Sequence, residues 1–192
     1  MLLMEVHDGL FAEPFRVAAP AGHPGWWLLT PCDAEPAEPV SLDSVVTVCP
    51  LLREAGELDG GRAFEDFDSL LREILKRGAP GRQWDQVFDD KHLHEIGDVT
   101  LKRASGKVES WKILQFQKKQ TLIRIAWSYA ELRRTVLLTH MFVKPGGKRP
   151  TPPSEVTRAK DVLQSYLQAL DTRSVKLIEP QGGIDGFQRL VR

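Results

Sequence analysis

Apolar and polar positions alternate most clearly over residues 108 to 144. Three strand-length runs stand there: "VESWKILQF" (108–116), "TLIRIAWSYA" (121–130) and "TVLLTHMFVK" (135–144). The links between them, "QKKQ" and "ELRR", are four residues each. A parallel crossover needs a dozen or more residues, so the runs predict an antiparallel meander. With a side-chain period of two, Leu122, Arg124 and Ala126 share one face of the middle strand, and Ile123, Ile125 and Trp127 the other. In the third strand the same rule sets Thr135, Leu137, Thr139 and Met141 against Val136, Leu138, His140, Phe142 and Lys144.

A helical period appears twice. In "RAFEDFDSLLREILKRG" (62–78), Phe64, Phe67, Leu70, Leu71, Ile74 and Leu75 fall on one face, acids lead, and Lys76, Arg77 and Gly78 close the segment. In "TPPSEVTRAKDVLQSYLQAL" (151–170), Thr151 is suited to cap, Pro152 to the first position, and Val156, Ala159, Val162, Leu163, Tyr166, Leu167 and Leu170 form the stripe. The β-branched run "SVVTVC" (44–49) reads as a strand, as do "MLLMEV" at the N-terminus and "WWLL" (26–29). Six of the thirteen prolines fall in residues 14–39. The link "APGRQWDQVFDD" and then "KHLHEIGDVTLKR" precede the meander, and neither is assigned a helix or strand. The expected organisation is a Pro-rich extension over 1–45, one domain over 46–170, and a loose tail over 171–192. The expected class is α+β.

Composition adds one surprise. The net charge is zero, yet residues 1–98 hold 8 Lys/Arg against 19 Asp/Glu, and residues 99–160 hold 14 against 3. A basic block of this kind is the electrostatic footprint of a polyanion partner, or the complement of the acidic half within the fold. No apolar run reaches the length of a spanning helix, and the N-terminus lacks a signal-peptide pattern, so the chain is read as cytoplasmic with no membrane partner. Its two cysteines, Cys32 and Cys49, read as buried reduced thiols. His92 and His94 in "HLH" have no third ligand group beside them, so they read as loop histidines, and no metal site or cofactor is expected.

The third strand carries the candidate chemistry. His140 can exchange a proton near neutral pH, and Arg124 and Lys144 can hold phosphate charge. An RNA substrate supplies its own 2′-hydroxyl as nucleophile. Lys102, Arg103, Lys107, Lys112, Lys118, Lys119, Lys148 and Arg149 are the candidate RNA-binding cations of the basic block.

"KHL" (91–93), "LIRIAW" (122–127), "LLTHMFVKPGGKRPTPPSEV" (137–156) and Ala159 together resemble the RelE/HigB superfamily of type II toxin–antitoxin systems, with His-x-Phe-x-Lys before a Pro-led helix most like the HigB branch. The resemblance implies a twisted antiparallel sheet, made of the three-strand meander plus an N-terminal strand, with helices on one face and a C-terminal helix. It implies an endoribonuclease that cleaves mRNA, free or on the ribosome, arrests growth, and is neutralised by a cognate antitoxin of helix-turn-helix type. Carried over by position, the catalytic candidates are Lys91, Arg124, His140 and Lys144. Ile113 and Gln115 stand where the family often has Glu and Arg, and Pro145 replaces a second Lys. Two other readings stay open: a ParE-like gyrase inhibitor, and a binding module of the same fold without catalysis.

Overall fold

The computed structural model describes residues 1–5, 27–37, 42–58, 93–117, 123–130, 135–144, 150–179 and 182–184. The expected helix over 62–78 lies outside them. The described chain is α+β. In order, its elements are β1 (Leu2–Glu5), β2 (Trp27–Cys32), α1 (Leu42–Val48), α2 (Pro50–Glu57), β3 (Leu93–Lys102), β4 (Val108–Gln117), β5 (Ile123–Ala130), β6 (Thr135–Val143), α3 (Pro153–Asp171), β7 (Lys176–Glu179) and β8 (Gly182–Ile184).

The meander forms as its short links require: β4, β5 and β6 pair antiparallel in sequence. The sheet around it is larger than expected and mixed. Its order is β3-β4-β5-β6-β2-β1-β7-β8, with β2 parallel to β6 and β1 parallel to β7. Strand direction is dictated by a link only when the link is short. Residues 27–32 and 135–143 are joined by a long stretch of chain, which leaves both directions open. β1 and β2, drawn from residues 1–45, stand inside the sheet, and β7 and β8 extend it where a loose tail was expected. Leu177 is fully buried, and the Met1 carbonyl accepts the Lys176 N–H at 2.9 Å, so β1 is laced to the segment that follows α3.

Residues 42–48 form a helix, not a strand. Val45, Cys49 and Leu52 are buried, while Thr47 is exposed. That spacing follows a helix face, and Cys49 N–H donates to the Val45 carbonyl at 2.9 Å. β-branched propensity is weak enough for such packing to overrule it.

α3 packs on β3 to β6. Ala159, Leu163, Tyr166, Leu167 and Leu170 meet Leu3, Leu29, Val99, Trp111, Ile113, Leu137 and Phe142 in one core, with Trp111 and Tyr166 edge-to-face at 5.8 Å. Each fully buried Leu or Phe there contributes about 1.5–3 kcal/mol. Thr30 and Cys32 alternate with Leu29 and so face the other side, where Thr30 meets Cys49 between α1 and α2. The sheet is therefore covered on both faces, not on one.

Two irregularities shape the region beneath the start of α3. Ile96 is extra between Glu95 and Gly97, and a Cβ at Gly97 would lie 3.3 Å from Val156 Cγ1, so the helix sits close on β3. The bulge also breaks the alternation of "HEIGDVTLK", which is why this ten-residue strand is not visible as a period-two pattern. In β6, Thr139 is extra: Leu138 stands opposite Trp127 and His140 opposite Ala126. This shift reverses the face of everything after it. Leu137, not Leu138, accompanies Phe142 in the α3 core.

Candidate functional site

The strand register aligns one row across four strands. His94 pairs with Gln115, Gln115 with Ala126, and Ala126 with His140. Arg124 lies in the next row, opposite Gln117 and Phe142. The chain leaving β6 passes Lys144, and it returns through Pro150 and Thr151 into α3. Between this return and β3 opens a cleft of about 450 Å³, lined by His94, Glu95, Gln115, Lys144, Thr151 and Val156 among others.

Local contacts hold its polar walls. The Gln117 side-chain amide lies 2.8 Å from His94 Nε2; with the amide N–H donating, the proton of the neutral ring is on Nδ1. Thr151 does not cap α3, whose N-cap is Pro152; its hydroxyl donates to Gln115 Oε1 at 2.7 Å instead. Gln115 is 1% exposed, so this bond satisfies a polar group that would be costly to leave unpaired. Gln115 thus ties the floor of the cleft to the segment entering α3.

His140 is not on the cleft surface. It is fully buried, with Nδ1 3.0 Å from the Thr139 hydroxyl and its ring 5.6 Å from Phe142. Nε2 lies 3.1 Å from Glu155 Oε2 but is not aligned for a hydrogen bond. Burial, helped by the Arg158 guanidinium, lowers its pKa to about 3, outweighing the adjacent carboxylate. Arg158 itself is paired to Glu54 of α2, and Glu54 also accepts the Met141 N–H at 2.9 Å, beyond the point where β2 stops pairing with β6.

A pH dependence follows. The unfolded histidine titrates near 6.5 and the folded one about 3. A lowered folded pKa contributes stability that is complete above the unfolded value and is lost as pH falls toward 3. At pH 4.5 the loss is about 2–3 kcal/mol by the usual conversion. Unfolding midpoints of the wild type and His140→Gln, measured at pH 7 and 4.5, are expected to differ by that extra loss in the wild type. Equal losses would show that His140 is not held neutral.

The other sequence-derived candidates divide clearly. Lys144 lines the cleft. Lys91, Lys118, Lys119, Lys148 and Arg149 lie outside the described residues. Lys102 and Lys107 are exposed at the β3–β4 hairpin, eight or more residues along the strands from His94, about 26 Å at the rise of a strand. Lys112 is exposed and paired with Glu95 at 3.3 Å. Arg103 is not an RNA-facing cation: it is 7% exposed, with Nε 2.7 Å from Asp171 and a terminal nitrogen 3.1 Å from Glu109. It locks the hairpin to the end of α3. His94, read as a loop histidine, stands in β3 on the cleft wall. Its signal was the short apolar pattern of Ile96, Val99 and Leu101 behind it, masked by the bulge.

Comparison with known proteins gives no match to a family model, a curated relative or a solved structure. No described helix is long and apolar enough to cross a membrane.

Proposed function

We propose that the chain is the toxin of a type II toxin–antitoxin pair, a RelE/HigB-like endoribonuclease acting on mRNA and silenced by a cognate antitoxin. The observation that carries this reading is the cleft, whose lining brings together a half-buried imidazole (His94), an amine (Lys144) and the Gln115 amide. The reaction it suits is transesterification. The 2′-oxygen loses a proton and bonds to phosphorus, the bond to the 5′-oxygen breaks, and that oxygen gains a proton. Lys144 would meet the charge growing on the phosphate oxygens, with Arg124 one row from His140 as the second cation. His94 would exchange the proton, since His140 is enclosed.

The test is incubation of the purified protein with single-stranded RNA and with translating ribosomes. New fragments ending in a 2′,3′-cyclic phosphate are expected, and Lys144→Ala should slow their formation by about 10²–10³-fold, the usual worth of one donor to developing charge. Intact RNA under both conditions would overturn the reading. The enclosure of His140 favours one alternative, a nucleic-acid-binding module of this fold. It predicts RNA binding that weakens in Lys144→Ala without cleavage.

A further inference from the structure

Away from the cleft, on the sheet face opposite α3, two cysteines meet. Cys32 ends β2, and Cys49 sits between α1 and α2, in extended conformation at the N-cap of α2. Their backbones are tied at the neighbouring residues: Asp33 N–H donates to the Val48 carbonyl at 2.8 Å. Arg53 fastens the same junction, reaching Asp33 at 3.0 Å and the Thr47 carbonyl at 2.8 Å. The Cys49 thiol lies 3.9 Å from the hydroxyl of Thr30, two residues before Cys32 on the same face of β2. Cys49 is fully buried and Cys32 is 9% exposed.

We propose that Cys32 and Cys49 form a reversible dithiol–disulfide pair that staples the α1–α2 layer to β2 when the protein meets peroxide. An ordinary buried thiol is inert because burial disfavours its thiolate. Here the environment opposes burial at one sulfur. The Cys49 pKa is lowered, first by the neighbouring Cys32 thiol, then by the backbone N–H groups of Leu52 and Leu51 at the start of α2 and by the Thr30 hydroxyl. The Cys32 thiol is raised by the neighbouring Cys49 and by burial, so it keeps its proton and acts second. Peroxide is small enough to enter beside Cys32, the only one of the pair with exposed surface.

The steps balance. The Cys49 thiolate attacks one peroxide oxygen, the O–O bond breaks, and hydroxide leaves and takes up the proton released by Cys49. Cys49 is then a sulfenic acid. The Cys32 sulfur attacks it, the S–O bond breaks, and the departing hydroxide takes the Cys32 proton as water. Two thiols and one peroxide give one disulfide and two waters, with the thiols oxidised by two electrons. Dithiol reagents reverse it by exchange. The ring so closed runs from residue 32 to residue 49. A cross-link of that span raises the unfolding midpoint of a chain this size by about 5–10 °C when it adds no strain.

The experiment treats the folded full-length protein with hydrogen peroxide, then blocks free thiols under denaturing conditions and weighs the chain. Loss of two hydrogens with no free thiol, restored by dithiothreitol, is expected, together with the higher midpoint. Cys32→Ser should leave a Cys49 sulfenic acid that a dimedone probe traps, whereas Cys49→Ser should leave Cys32 unreacted at the same dose. Two free thiols at a dose that oxidises glutathione, or disulfides formed only between chains, would overturn the proposal. The wild-type mass decides the matter even if a serine variant does not fold.

Discussion

Replacing His94 by Ala is expected to slow RNA cleavage by about 10²–10⁴-fold, the usual contribution of a general acid–base group, with little change in the unfolding midpoint. The side chain is half-buried on the cleft wall, and its polar partner among the described residues is the Gln117 amide, so its removal leaves no buried charge and opens no core cavity. His140→Ala is expected to behave differently. Its ring is fully enclosed beside Phe142, and truncation costs stability at neutral pH as well as removing the acid-labile term. Paired measurements on the two variants separate the roles. A folded His94→Ala that cleaves as fast as the parent would move the proton-transfer step off β3. If His140→Ala stays fully stable yet loses cleavage, the enclosed imidazole is the one that acts, after an opening of the α3 start around Glu155.

Arg103→Ala should be strongly destabilising, at about 3–5 kcal/mol, because it strands two carboxylates that the guanidinium now neutralises. Its side chain is 6% exposed, and those of Glu109 and Asp171 are 13% and 24%. Asp171 also accepts the Ala104 N–H at 3.1 Å, and the Trp111 indole N–H reaches Glu109 at 3.4 Å, so the network joins the β3–β4 hairpin, the core aromatic pair and the end of α3. In a chain of this size that loss corresponds to a fall of about 6–20 °C in the thermal midpoint. Arg103→Lys should recover part of it, since a point charge cannot serve both carboxylates with the fork of a guanidinium. A fall under about 1 kcal/mol in Arg103→Ala would place this pair among ordinary surface ion pairs. The same variant bears on nucleic acid: a cation committed to Asp171 and Glu109 contributes nothing to RNA affinity beyond its effect on the fold.

How much of this was legible in the sequence depended on how local its cause was. Four-residue links fix their neighbours as antiparallel, so β4, β5 and β6 could be read directly. A stripe repeating every three to four residues can only be buried by a helix, so α3 was recovered to within two residues at each end. The order and direction of β1, β2 and β7 were beyond local reading, because nothing in a distant strand records which neighbour it will meet. Bulges at Ile96 and Thr139 were equally invisible, since one extra residue is a property of a pair of strands and not of either alone. That single residue in β6 decides the site. It moves His140 onto the face covered by α3, where Glu155 and Phe142 enclose it, while the bulge in β3 accompanies His94 on the open cleft wall. The sequence determined that a histidine, a lysine and an arginine would stand near one end of a meander. Which histidine meets solvent follows from the packing of α3, because exposure depends on what covers a residue and not on the residue itself.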